Sequence, residues 1–286
     1  MIYLLGIATA FLIVTALYGP EKNNVSGVLG NSFKVVFGDI SILKQPPADL
    51  QKLQANLTAV LEAREGTYSL YIRELPDGQV LTINSEEIYF GASLVKVPLA
   101  AAVMKDISDG AYSLNTEVLF EPQYYISGGN TFSESNFGKA YTIDFLLNRL
   151  LKDSDNTAQN ILLSKIQNNL AFSLIPDQEQ VTVQEGAQVF ERLHSGSILD
   201  KDSWNYIYKL MLKTDFDDRI HLGLPLTAEF SHKIGNWPET GTWHDCGILS
   251  ARGKDVIICL MSKDTSFSDF TSVAREVGKQ TYEAFH

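Results

Sequence analysis

The sequence predicts an α/β (α+β) protein: an antiparallel five-stranded sheet flanked by terminal helices, with an all-helical lobe inserted into it. Three observations lead there. Segments with the period-2 alternation of strands fall into two groups, a pair over residues 67–84 and a trio over residues 230–261. Between the groups, from about residue 111 to 227, the periodicity is mostly helical. An amphipathic segment precedes the first strand and another closes the chain, supplying the helical layer that an open sheet needs on one face.

Taken in order, Ile2 to Tyr18 is an uncharged apolar run about as short as a bilayer span can be. It lacks a basic start, and Thr15-Ala16-Leu17 is a poor small-x-small cleavage site. Residues 1–19 are therefore expected to be an uncleaved membrane anchor rather than a removed signal, residues 20–47 a polar stalk, and residues 48–286 the folded domain. Leu50, Leu53, Leu57, Val60 and Leu61 recur at helical spacing and predict a helix over 48–64 that Gly66 ends. A hairpin follows, with strands over 67–74 and 79–84 around Pro76-Asp77-Gly78. A helix is predicted from Ser93 to Asp109, with Pro98 tolerated because the N–H it lacks belongs to the first turn. The lobe's helices are predicted over 142–151, 158–165, 184–194 and 201–212. Strands over 230–237, 243–251 and 255–261 and a helix over 270–285 complete the chain. Taking Gly253-Lys254 as the turn of the last hairpin places Cys246 opposite Met261 and only diagonally from Cys259, which predicts two buried free thiols rather than a disulfide.

Composition narrows the function. With 286 residues, 45% of them hydrophobic, the chain can fill a core, which excludes disordered and fibrous classes. The balance of 34 acidic against 23 basic residues gives a net charge of -11, which opposes binding to phosphate backbones and excludes nucleic acid as a partner. The cysteines are not spaced as a metal knuckle and there is no His-Glu-x-x-His pattern, so neither a metal site nor a cofactor is expected.

Three short motifs carry the chemistry. Ser93-Leu94-Val95-Lys96 puts a hydroxyl and an amine three residues apart on a predicted helix start, on one face. A serine is a poor nucleophile until a base takes its proton, and a lysine can do so only if its pKa is lowered, which the apolar neighbours Leu94, Val95, Val97 and Leu99 favour. Ser154-Asp155-Asn156 falls between two helical stretches, where a short hydroxyl can relay a proton and an amide can bind a carbonyl. Lys233-Ile234-Gly235 falls on a strand, where the lysine supplies positive potential, Gly235 lets a substrate backbone approach, and the N–H of Asn236 can serve an oxyanion. Singly, each motif also fits a helix cap or an edge lysine; jointly, each lies on the element its chemistry needs.

In these motifs and their surroundings, Ser93-Leu94-Val95-Lys96-Val97-Pro98 and Leu151-Lys152-Asp153-Ser154-Asp155-Asn156-Thr157-Ala158, the chain resembles the class A β-lactamase family of penicillin-recognising serine hydrolases, from about Ala48 to the C-terminus. The resemblance implies an acyl-enzyme at Ser93, with Lys96 as base or base partner and Ser154 as proton shuttle. It implies Asn156 as substrate ligand, Lys233 as electrostatic partner, and the N–H groups of Ser93 and Asn236 as oxyanion donors. The acyl donor it implies is a small molecule or peptide, a β-lactam or a cell-wall peptide, met outside the cytoplasm at the cell membrane.

Two departures qualify this. The family's Glu-x-x-x-Asn loop is missing: the stretch 168–183 is short, its Glu179 has no asparagine four residues on, and Glu185 reads as first-turn decoration of the next helix. Ile234 stands where relatives carry a hydroxyl for the β-lactam carboxylate. The expectation is therefore acylation with slow deacylation. A penicillin-binding D,D-peptidase-like acyltransferase is the alternative within the fold, and a non-catalytic envelope scaffold the alternative outside enzymology. Trp237, Trp243 and His244 are read equally as an aromatic rim or as packing residues.

Overall fold

The computed structural model describes residues 48–129, 131–166 and 180–286. The expected anchor, the stalk and Glu179 lie outside the described residues. Among the described residues no helix is long and apolar enough to cross a membrane.

Helix α1 (Ala48–Glu62) forms as its leucine spacing demands: Leu50, Leu53, Leu57 and Leu61 make one buried stripe. It leads into β1 (Thr67–Glu74), β2 (Val80–Ile83) and the two-residue β3 (Ile88–Tyr89). At the other end of the chain, β7 (Glu229–Trp237), β8 (Thr242–Ala251) and β9 (Lys254–Lys263) precede the C-terminal helix Phe267–Phe285, whose N-cap Ser266 accepts from the Asp269 N–H at 3.0 Å. The two groups merge into one antiparallel sheet of order β2-β1-β9-β8-β7, so β7 is an edge strand.

Alternation along β9 shows why the sheet is apolar on both faces. Val256, Ile258 and Leu260 pack under the terminal helices with Leu57, Phe270 and Val277, while Ile257, Cys259 and Met261 face the helical lobe. Helix α2 (Lys96–Ser108) runs through that lobe with nearly every residue from Val97 to Met104 buried, and α3 (Ile143–Lys152), α4 (Asn156–Leu163), α5 (Val183–His194) and α6 (Lys201–Met211) pack around it. Glu185 is the reciprocal partner of Thr182 in a capping box on α5, with the Thr182 N–H donating to its carboxylate at 2.8 Å. The lobe is not purely helical. β4 (Glu117–Leu119) pairs with β5 (Ala140–Thr142), and β3 pairs with β6 (Val181–Thr182), ladders too short to give a period-2 signal in sequence.

The last hairpin corrects the cysteine expectation. Ala251 pairs with Lys254, so the turn is Arg252-Gly253, one residue earlier than the sequence reading places it. Both turn residues have positive φ, 49° and 78°, as a type I′ turn requires, and such turns favour glycine in second place. The one-residue shift sets Cys246 directly opposite Cys259, and the two form a disulfide rather than free thiols. Its sulfurs lie beneath Gly186 of α5, where a Cβ would approach the Cys259 Sγ to 3.3 Å.

Candidate active site

All three motifs meet where the lobe faces the edge strand β7. Ser93 lies not in the α-helix itself but in a single 3-10 turn, Ala92–Val95, that feeds into α2 at Lys96. Ala92, which opens that turn, has φ 46°, a left-handed conformation that costs a non-glycine residue about 1–3 kcal/mol. The turn sits tight against β7. A Cβ on Gly235 would meet the His244 ring at 3.0 Å, the Gly91 carbonyl at 3.2 Å and the Ala92 Cβ at 3.3 Å. The buried Gly235 therefore serves the close approach of β7 to the serine turn, where the sequence reading has it admit a substrate backbone.

Ser154 bends the chain between α3 and α4 with φ 58°. Asp155 follows as the N-cap of α4, accepting from the Ala158 N–H at 2.9 Å. This turn is clamped from below by Lys96, whose Nζ donates to the Ser154 carbonyl at 2.6 Å and to Asn156 Oδ1 at 2.6 Å. The same Nζ is 3.0 Å from Ser93 Oγ and 3.1 Å from Ser154 Oγ. From the sheet side, Lys233 Nζ donates to Ser154 Oγ at 2.9 Å and to the Ile234 carbonyl at 3.1 Å. Ser93, Lys96, Ser154, Asn156 and Lys233 thus form one continuous polar chain.

Both lysines are fully buried. Burial brings the Lys96 amine down to about 7, with the Asp155 carboxylate pulling the other way. Lys233 is held well below the ordinary lysine value by burial first, then by the positive charges of Lys96 and Arg219, against the attraction of Asp245. Ser93 keeps partial exposure and opens into a cavity of about 260 Å³ lined also by Phe90, Ile126, Asn156, Asn160 and Trp237. Asn236 lines it too, its Oδ1 buried without a hydrogen-bond partner. A larger cavity of about 710 Å³ adjoins at Ile126 and Asn156 and reaches Ser154, Asp215 and Phe216. Ile234 is buried and lines neither.

The three aromatic candidates divide. Trp237 is 46% exposed and stacks edge-on against Phe90 at the rim of the smaller cavity. Trp243 donates from Nε1 to the Thr265 carbonyl and packs on Phe267, and the buried His244 lies with Nε2 2.8 Å from the Phe90 carbonyl. Burial lowers His244 to about 4, so it is neutral near pH 7 and acts in packing. Sequence reasoning missed Arg219 and Phe216. Arg219 is buried, donates to the His244 carbonyl at 2.8 Å and acts on Lys233 through space, and the Phe216 ring lies 6.0 Å from Lys233 Nζ. Both sit in irregular chain, where periodicity carries no signal.

The comparison with known families agrees with this geometry. A sequence model described as the beta-lactamase enzyme family matches residues 52–285. The chain belongs to the β-lactamase enzyme family. Among curated proteins, this family member is 24% identical over 256 residues to β-lactamase VEB-1 of Pseudomonas aeruginosa, covering 77% of this chain and 86% of that one. Its fold is that of solved class A enzymes and penicillin-binding relatives. A PBP-A mutant captured as an acyl-enzyme complex with penicillin G superposes with TM-score 0.74 at 19% identity, over 82% of this chain and 97% of that one. A β-lactamase from Chitinophaga pinensis gives 0.73 at 18%, over 82% and 100%, and an ancestral class A β-lactamase 0.74 at 20%, over the same shares. The β-lactamase family membership makes this chain a serine hydrolase of the class A type.

Among the described residues, Asp217, His221 and His232 bring their ligating atoms within 4.8 Å of one another at β7.

Proposed function

We propose that Ser93 attacks the carbonyl of a β-lactam-like amide, forms an acyl-enzyme and releases it slowly. One observation carries this reading: the Lys96 amine, poised near neutrality, is 3.0 Å from the Ser93 hydroxyl and is held there by Asn156 and the Ser154 carbonyl. Its neutral form takes the serine proton as the C–O bond forms. The tetrahedral oxyanion is received by the backbone N–H groups of Ser93 and of Asn236 on the edge strand. When the C–N bond breaks, the Ser154 hydroxyl gives its proton to the leaving amine and is reprotonated from Lys96, 3.1 Å away. Lys233 keeps that hydroxyl oriented, and the negative charge of an anionic substrate favours the protonated form of its lowered amine, which then supplies positive potential. Asn156, whose Oδ1 is engaged by Lys96, has its amide N–H₂ left for a substrate carbonyl.

The surroundings of Ser93 support the slow release. Among the described residues lining its cavity there is no carboxylate to activate a deacylating water. The sequence also lacks the Glu-x-x-x-Asn arrangement. That same observation favours a second reading, acyl transfer on cell-wall peptides in the manner of a D,D-peptidase. The disulfide, which persists in oxidising compartments, supports placing the domain outside the cytoplasm with residues 1–19 as its membrane anchor.

The test is to incubate the full chain with a fluorescent penicillin and follow intact mass with time. A persistent adduct that is absent in Ser93→Ala supports the slow acyl-enzyme. Rapid loss of the adduct with accumulation of hydrolysed penicillin would replace it with a true β-lactamase. Absence of an adduct with both penicillin and a D-Ala-D-Ala peptide ester would overturn both enzymatic readings.

A further inference from the structure

Neighbouring residues on a strand point to opposite faces, so His232 looks away from the cleft that Lys233 serves. It meets Asp217 and His221, which lie in the stretch leading into and through the short turn Ile220–Gly223. Asp217 Oδ1 is 3.4 Å from His221 Nδ1 and 3.4 Å from His232 Nε2, and the ligating atoms of all three lie within 4.8 Å of one another.

His232 Nε2 is within hydrogen-bonding reach of Asp217, but both distances are long for a charge-assisted bond and match the spacing of two ligands on a shared cation. A charge-assisted N–H···O⁻ bond closes to about 2.7–2.9 Å. The other side of the same imidazole does close: His232 Nδ1 lies 2.6 Å from Asp245 Oδ1, with both residues fully buried. By contrast, ligands about 2.0–2.1 Å from a tetrahedral zinc ion stand about 3.3–3.4 Å from each other. Asp217 keeps that spacing from both imidazoles. His221 Nδ1, moreover, is a buried atom with no hydrogen-bond partner, although its ring as a whole is about a third exposed.

Supporting contacts fit as well. A ligating histidine usually gives its second ring N–H to a carboxylate, which fixes the tautomer and turns the free nitrogen to the metal. Asp245 does this for His232, and its other oxygen accepts from the Ile220 N–H at 3.1 Å, tying the turn to the same carboxylate. The nearby Arg219 guanidinium is directed to Asp218 at 3.2 Å and to the His244 carbonyl, not into the cluster. Asp217 is half exposed, which leaves a route of entry and room for a water as fourth ligand.

We propose that Asp217, His221 and His232 form a binding site for a divalent transition metal of the zinc class. The site is structural: it pins the segment carrying Asp215 and Phe216, which wall the larger cavity, onto the back of β7. It stands independently of the role given to Ser93.

The full chain, stripped with a chelator, is titrated with zinc chloride by calorimetry and with cobalt(II) while visible absorption is recorded. The expected result is one equivalent bound, with the intense d–d bands of four-coordinate cobalt. Asp217→Asn, at an exposed position, and His221→Gln, at a partly exposed one, should each weaken binding by roughly a hundredfold while melting at the wild-type temperature without metal. His194→Gln, which alters the separate His194–Asp255 pair, should bind as wild type. No saturable binding, or binding equally tight in Asp217→Asn and His221→Gln, overturns the proposal.

Discussion

Lys233 donates a 2.9 Å hydrogen bond to the hydroxyl of Ser154, joining the sheet edge to the turn of the helical lobe across the candidate active site. The same hydroxyl is 3.1 Å from Lys96, so a single oxygen sits between two buried amines. Removing it should hurt chemistry more than folding. Ser154→Ala is expected to lower the acylation rate by roughly 10²–10⁴, the span of a lost proton relay, with little change in Tm. Stopped-flow acylation and a thermal melt check this, and a rate within a few-fold of wild type would remove Ser154 from the proton path.

The lowered amine of Lys96 sets a pH profile. Acylation needs the neutral form, so the rate should climb about tenfold per pH unit below about 7 and level off above it. Stability carries the same signature. Between about 7 and the ordinary lysine value of 10.5, the unfolded chain holds a proton that the folded chain has released, so this residue makes stability rise with pH across that window. An acylation rate constant that stays flat from about pH 5.5 to about pH 8.5 contradicts the assignment of Lys96 as base.

Gly235 is a test of positioning. A methyl group there meets the His244 ring, the Gly91 carbonyl and the Ala92 Cβ at 3.0–3.3 Å, tight contacts to which the ring or the serine turn must yield by a few tenths of an ångström. Gly235→Ala should cost about 1–3 kcal/mol of stability, as overpacking does. Acylation should fall at least about tenfold, because small misplacements of the nucleophile are expensive in rate. Chemical denaturation and acylation kinetics on the same preparation separate the two effects.

The disulfide Cys246–Cys259 closes a loop with a sequence separation of 13 residues. A cross-link of that span is worth about 3 kcal/mol in the loop-entropy account. The double substitution Cys246→Ala and Cys259→Ala should lower stability by about that amount, and a reductant should lower the Tm of the wild type but not of the double variant. Equal melts with and without reductant would show that the two thiols are not joined.

Much of this arrangement was readable along the chain because its signals are local. The three-residue spacing of Ser93 and Lys96 puts hydroxyl and amine on one face, and the 3.0 Å contact follows. Asp155 has the chemistry of an N-cap and is one. The period-2 runs near both ends of the chain form one sheet, since no other surface buries both sets. Register was less secure. A one-residue shift in the Arg252-Gly253 turn turned two expected thiols into a directly opposed, bonded pair, because every residue in a ladder moves with its turn.

By itself, then, the sequence determined the order of the long elements, the three motifs and the family they point to, since each depends on residues a few positions apart. Tertiary structure alone decided that Gly235 serves the serine turn, that Trp237 forms the rim while His244 packs, and that Asp217 and His221 meet His232. Those facts depend on which irregular segment lies against which strand. That choice is made by the packing of two apolar sheet faces, and no local period records it.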